Sequence, residues 1–473
     1  MNKYVLSLIG LFFASTFATA QEFEVETVSR SGEDDQRINL VFLPDGYQAS
    51  ELPKFKRDVQ GILTQLFNTT PFKEYKNYFN VHIVYVPSNV SGASRDPNNL
   101  IDNYFGSTYF YADIERLLVP SHNDRVASVL ADNFPTYDQA FVLVNDDKYG
   151  GSGGWLATSS TNALAGEIAI HEIGHSFAGL SDEYWAGPQF ARETPNMTQQ
   201  TDETLVKWKN WIGTNAVGIF SHTGDASWKR PHRSCKMELL GTPFCAVCRE
   251  TFIETFYRNV SIIQSHAPSD DANIRDQQSF SATSLNPNPY SLESFWLLGT
   301  DTVARDESAF TLDMTSLSDG NHTLSLNIAD FTVLSRKNNL AMDVVNWSIT
   351  KNGNEVNFNT HVNRRSVDRN DFIGLEEPGI ITSIDDDFVQ EIQFKAFPNP
   401  VGDQLSISFF NPNPAPFTLQ VISMDGRVHQ AQKQELLLPG EQEFMINTSD
   451  LTSGMFLIQM QIGSKLVIKK ILK

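Results

Sequence analysis

The stretch HEIGHSFAGLSDEYW, residues 171–185, limits what this chain can fold into more than any other. Residues four apart on an α-helix lie one turn above each other, so His171 and His175 share a face and can converge on one ion. That is the geometry zinc requires. Glu172 projects beside the ion, where its carboxylate can take a proton from a bound water whose pKa zinc lowers toward about 7. Gly179 stands where the helix should stop, because glycine adopts the left-handed cap conformation at little cost. Leu180 can pack back on the helix while the chain reverses and brings Asp182 and Glu183 toward the ion. One of these two is the third protein ligand, Asp182 by preference and Glu183 as the alternative, which leaves the fourth position open. His232 is next in line should both fail. Tyr184 is a candidate donor to a tetrahedral oxyanion, and Arg230, His222 and His232 are candidate cleft residues.

The surrounding chain has to hold that helix. From about residue 23 to 260, apolar runs alternate between strand and helix patterns. INLVFLPDGY (38–47) reads as a buried strand ending in an Asp45-Gly46 turn. ELPKFKRDVQGILTQLF (51–67) has helical spacing through Phe55, Val59, Ile62, Leu63 and Leu66, and FNVHIVYVPSN and QAFVLVND are further strands. Such alternation predicts an α/β sheet with helices packed on it. The glycine-rich YGGSGGWLATSS is either a flexible loop or the approach to an edge strand that holds an extended peptide by β-addition. From about residue 265 the pattern changes to short alternating runs, ESFWLLGT, AFTLDMTSL, HTLSLNIAD and MDVVNWSITKNG, separated by Asp-Gly and Asn-rich turns. These predict an Ig-like β-sandwich over residues 265–375, with Asp319-Gly320 in a hairpin turn and Trp347 in the core. Residues 376–392, with Pro378 and three aspartates from Asp385, are linker chemistry. A second small all-β unit follows over 393–473.

At 473 residues the chain is too long for one domain, and its net charge of −20 argues against nucleic acid as a partner. Residues 1–20 carry Lys3, a short apolar core and Ala18-Thr19-Ala20, which together read as a secretory signal peptide with the mature chain starting near Gln21. No later stretch is long and apolar enough to predict a membrane span in the mature chain. Fewer than twenty residues separate Gln21 from the strand expected at Ile38, none of them cysteine, so no cysteine-switch latency is expected. The three cysteines, Cys235, Cys245 and Cys248, predict one disulfide and a spare thiol; the rival reading is a zinc site completed by His232. Asp146-Asp147 and Asp96 with Asn98 lack the spacing of a calcium loop, and no calcium is expected there.

HEIGHSFAGLSDEYW resembles the metzincin metallopeptidases, whose pattern is H-E-x-x-H-x-x-G-x-x-H or D followed by a distant Met-turn. This chain has one extra residue before the glycine, so the third ligand falls at the seventh position after His175. Taken with NLVFLPDGY upstream and RPHRSCKMELLGTPFCAVC downstream, residues 23–260 resemble the secreted bacterial zinc metallopeptidases named for an immunoglobulin A-cleaving member. The resemblance implies a metzincin-like catalytic domain over 21–264, one catalytic Zn2+, Met237 as the Met-turn methionine beneath it, and CAVCRETFIETFYRNV as a closing helix. In the C-terminal unit, FKAFPNPVGDQLSISF, VISMDGRVHQ, INTSDLTSGMFLIQMQIG and LVIKKILK resemble the sorting domain of type IX secretion substrates. That implies passage through the periplasm and across the outer membrane, the type IX machinery as a partner, a secreted or cell-surface product, and removal of the tail on export. The expected activity is endopeptidase cleavage of a protein or peptide substrate. The alternatives are a surface binding protein whose metalloprotease-like domain is degenerate, and zinc hydrolysis aimed at glycan-decorated surfaces or cell-wall peptides.

Overall fold

The computed structural model describes residues 22–96, 98–268, 277–336, 341–353, 355–366, 392, 394–397, 401–411, 414–423, 428–438, 440–451, 455–462 and 465–473. The expected signal peptide and the linker, Ile392 apart, lie outside the described residues, as do Pro398 to Pro400, Asp425 to Arg427 and Thr452 to Gly454 of the sorting-domain motifs.

The first half is built on a six-stranded sheet. Its strands are β1 (Val25–Ser29), β2 (Ile38–Asp45), β3 (Phe79–Val84), β6 (Gln139–Val144), β7 (Gly151–Gly153) and β8 (Ala157–Ser160), with β4 (Ser107–Thr108) and β5 (Val119–Pro120) forming a short separate pair. The order is β1-β3-β2-β6-β8-β7. Strands β3, β2, β6 and β8 are parallel, whereas β1 and β7 close the two edges antiparallel. Every residue of β2 is buried, as a continuous apolar run inside a parallel sheet should be. Alternate side chains serve opposite faces: Ile38, Leu40 and Phe42 join the core beneath the helices, while Val41 and Leu43 join a second core on the other side. The sheet begins earlier than the sequence pattern suggests. The segment Val25–Ser29, ahead of the first strand expected at Ile38, pairs with β3 as an edge strand, where one face can stay wet.

Four α-helices are described: α1 (Leu52–Leu66), α2 (Asn123–Asn133), α3 (Ala165–Ser176) and α4 (Ala246–Asn259). α1 buries Phe55, Val59, Ile62, Leu63 and Leu66, the five positions its periodicity singles out. α3 is buried over Gly166 and from Ile168 to Gly174, so its histidines reach the site from inside the core and not from a surface helix.

Beyond residue 262 the regular elements among the described residues are strands, apart from one 3-10 turn at Met314–Ser316. Ile263–Ala267, Gln277–Ser284 and Ala309–Asp313 form a three-stranded antiparallel sheet. Asp301–Arg305, Leu292–Leu298, Gly320–Asp330, Ala341–Asn352 and Glu355–Ser366 form a five-stranded one. Trp296 and Trp347 stack between them, ring centroids 5.7 Å apart, and Phe280 of the smaller sheet packs edge-on to Trp347 at 5.1 Å. Asp319-Gly320 is not a hairpin turn. The strands on either side of it belong to different sheets, and the pair marks the corner where the chain crosses over. Residues 395–473 form a further pair of antiparallel sheets around a separate core that includes Leu405, Phe417 and Ile458.

Candidate active site

α3 carries His171 and His175 on one face, with their rings edge-to-face and centroids 4.8 Å apart. Each ring is anchored through Nδ1, which donates to a backbone carbonyl: that of Lys236 at 2.9 Å for His171 and that of Leu180 at 2.7 Å for His175. An Nδ1–H held by a carbonyl leaves the Nε2 lone pair free for a metal. The two Nε2 atoms lie 3.1 Å apart, and Asp182 Oδ1 lies 3.1 Å from one and 3.3 Å from the other. The Glu172 carboxylate faces the same point, within 4.8 Å of both imidazoles.

The electrostatics mark a place built for positive charge. Burial alone would push Asp182 up, but the two imidazoles outweigh it and hold the carboxylate well below its usual range. Burial would likewise lower the histidines, yet Asp182 raises both, His175 to about 9. Glu172 is raised by burial, which the neighbouring imidazoles only partly offset. Two anchored imidazoles and one carboxylate converging on a point form a donor set that fits zinc.

The helix end explains the convergence. Gly179 sits in the left-handed region at φ +64°, and Leu180 N–H returns to the Gly174 carbonyl at 3.0 Å. The chain then runs back past α3. Asp182 and Glu183 are neighbours on this returning segment and point to different places. Asp182 faces the histidines, whereas Glu183 turns away and is buried among Cys235, Cys245 and Cys248. Glu183 as alternative third ligand is therefore corrected. The expected disulfide is corrected as well: all three cysteines are free thiols in contact with one another.

Met237 lies fully buried under α3. Its sulfur occupies the space a Cβ at Gly174 would need, 2.6 Å from that position, and its carbonyl accepts from Glu183 N–H at 2.7 Å. One methionine thus holds both the histidine helix and the segment that carries Asp182.

The glycine-rich segment forms strands β7 and β8, with β7 at the sheet edge beside α3. A Cβ on Gly153 would fall 2.5 Å from His175 Cβ, and one on Gly151 would fall 3.0 Å from Glu172 Oε1. The glycines are there for close approach. The backbone of Gly151 bonds outward to Arg116 and Leu118, and Gly153, two residues on, presents its own N–H and C=O along the same edge.

Tyr184 accepts a hydrogen bond from Arg116 at 3.0 Å, and the Arg116 charge is felt at both Glu172 and Asp182. Tyr149 is half-exposed and senses the same two carboxylates. Arg116 was not singled out by sequence reasoning, since a lone arginine in a loop carries no pattern. The other candidates lie elsewhere. Arg230 is buried, ion-paired to Glu238, and donates to the Glu183 carbonyl at 2.9 Å. His222 is buried against Trp185, and His232 accepts from Ser234 N–H in a local turn. Asp146 is held by Arg95, Tyr109 and two backbone N–H groups, and Asp96 by the nearby Asn98.

Residues 26–219 match the family model described as IgA Peptidase M64, and residues 395–473 match that of the Secretion system C-terminal sorting domain. No curated protein matches. Among solved structures, the MHC-like MILL2 is 8% identical over 38% of this chain and 98% of its own, with a TM-score of 0.14. SGBP-B of the Bacteroides ovatus mixed-linkage glucan utilization locus is 11% identical over 43% of this chain and 64% of its own, also with a TM-score of 0.14. β-Glucuronidase 3 of Bacteroides uniformis is 8% identical over 76% of this chain and 48% of its own, with a TM-score of 0.13. Scores this low carry no argument about fold or function. The converging histidine site falls inside the matched span: residues 26–219 carry an IgA Peptidase M64 domain, and residues 395–473 carry a type IX secretion sorting domain.

Proposed function

We propose that the protein is a secreted zinc-dependent endopeptidase, with His171, His175 and Asp182 as metal ligands and Glu172 as general base. The observation that carries this reading is the convergence of two Nε2 lone pairs and Asp182 Oδ1 within 3.3 Å, with both histidine tautomers fixed from behind. Zinc bound there supplies Lewis acidity, which acidifies water and polarises a scissile carbonyl. The chain supplies the rest. Glu172 takes the proton from the attacking water and returns it to the leaving amine, and its raised pKa suits it to both steps. Gly153 offers one N–H and one C=O to an extended peptide lying antiparallel to β7, so that the scissile bond passes over Glu172. The proposed donors to a developing oxyanion are Arg116 and the Tyr184 hydroxyl it holds, a reading supported by their hydrogen bond and by the effect of Arg116 on Glu172.

The test is cleavage of a broad peptide library by the secreted protein beside its Glu172→Gln variant, with zinc content measured on both. Loss of general-base catalysis should lower turnover by about 10²–10⁴-fold while zinc is retained. Should both bind zinc and neither cut, the endopeptidase reading falls and a surface binding protein takes its place.

A further inference from the structure

Glu183 is a carboxylate buried without a basic partner among the described residues. It is 1% exposed, and its Oε2 has no hydrogen-bond partner among the described residues. No basic side chain among those residues pairs with it; Arg230 reaches only its backbone carbonyl. Its other oxygen accepts from Asn196 Nδ2 at 3.2 Å and otherwise faces sulfur: Cys248 Sγ at 3.3 Å and Cys245 Sγ at 3.8 Å. Cys248 Sγ in turn lies 3.7 Å from Cys235 Sγ and 3.6 Å from Cys245 Sγ. All four side chains are buried, and their ligand atoms lie within 4.8 Å of one another.

We propose that Glu183, Cys235, Cys245 and Cys248 hold a second zinc ion, closed and structural, distinct from the ion at His171 and His175. A tetrahedral zinc with Zn–S of about 2.3 Å and Zn–O of about 2.0 Å sets its sulfurs about 3.8 Å apart, and sulfur and oxygen about 3.5 Å apart. The cluster already has those spacings, so an ion at its centre needs little movement. Thiolate-rich tetrahedral sites select zinc over hard cations. The surroundings match the role. Cys245 caps the start of α4 and Cys248 follows one turn on, while Cys245 N–H donates to Cys235 Sγ at 3.3 Å. Asn196 orients the Glu183 carboxylate while also clasping both backbone groups of Ser181.

A disulfide explains less. Joining any two of these sulfurs brings them to about 2.0 Å and leaves a third buried thiol beside a carboxylate whose Oε2 still has no partner among the described residues. An ion satisfies all four at once. It also ties together three segments: the returning chain one residue past Asp182, the segment two residues before Met237, and the first turn of α4. The second ion therefore holds the third ligand and the methionine floor of the first site.

The experiment uses the full secreted chain, purified without chelator or reductant, and a His171→Ala/His175→Ala variant that empties the first site. Zinc is counted by mass spectrometry, and thiols are titrated after unfolding in chelator. The expected result is twice as much zinc per chain in the wild type as in the variant, with all three thiols titrating. Cobalt exchanged into the variant should show thiolate-to-metal charge-transfer absorption that a further Cys248→Ser change removes. If that last protein does not fold, the thiol count on the wild type still decides. A variant with no zinc, or a wild-type mass short by two hydrogens with a single titratable thiol, overturns the inference and leaves the first site untouched. Equal zinc in wild type and variant, with the charge-transfer band present, supports the second site and overturns the ligand assignment at the first.

Discussion

At the residue scale, the site depends on atoms that are missing as much as on those present. Gly174 lies mid-helix between the histidines, where alanine ordinarily gains about 1 kcal/mol through helix propensity. Here the added methyl meets the Met237 sulfur at 2.6 Å, so Gly174→Ala should instead lose about 1–3 kcal/mol and weaken zinc binding. Urea unfolding together with a zinc titration checks both parts; a gain in stability would remove Met237 from the role given to it here. His222 makes a second prediction. Both its ring nitrogens lack partners among the described residues, and burial, helped by Arg230, lowers its pKa from 6.5 to about 4. Between those values the unfolded imidazole binds a proton and the folded one does not. This contribution to stability is complete above about pH 6.5 and declines as pH falls toward 4, by about 2 kcal/mol from pH 7 to pH 5. His222→Phe should flatten that part of the pH–stability curve. The two histidines, Glu172 and the Gly179 cap were legible because helical spacing and the helix stop are local. The partition of Asp182 and Glu183 was not. Neighbours on an extended segment point to opposite sides, and which side faces the histidines depends on how the chain enters, which no local pattern records.

Among the elements, α3 and β7 work as a pair pressed together through glycine. Gly153→Val should push the edge strand off the helix and lower peptide cleavage far more than it lowers stability, because β7 has only three residues and one paired neighbour for most of its length. Circular dichroism melts beside a cleavage assay separate the two effects; equal losses in both would mean the strand is only scaffold. The apolar runs foretold β2, β3, β6 and α1 well, since each is long enough for its period to show. β1 and β7 were harder to see. Both are edge strands, one polar and one all glycine and serine, and an edge strand needs no apolar face to pair. The cysteine cluster was hidden for a related reason: its fourth member lies 52 residues before Cys235 in sequence and comes from the helix-to-loop reversal, not from the neighbouring His232 (235 − 183).

For the whole molecule, the main surprise is where the core ends. One continuous apolar cluster runs from Ile38 through Phe256 into Phe280, Trp296 and Trp347, across the boundary that the change in sequence pattern suggests near residue 264. A buried carboxylate fastens the joint: Asp330 accepts from Tyr75 at 2.5 Å, from Tyr257 on α4 at 2.6 Å and from Ser291 at 2.6 Å. Asp330→Ala strands the buried Tyr75 and Tyr257 hydroxyls and the buried Thr332 N–H, and should cost about 3 kcal/mol. Because Cys245 caps α4 and Cys248 lies in its first turn, the loss should also be visible as faster zinc release from the proposed second site, while a change below about 1 kcal/mol would make the joint dispensable. The C-terminal unit is different, since its core shares no residue with the larger one. A shipping label printed on its own sheet can be torn off at the destination without opening the parcel. Among the described residues the two cores are separate, so a cut between them would bare neither apolar interior, and removal of the tail would leave the larger core whole.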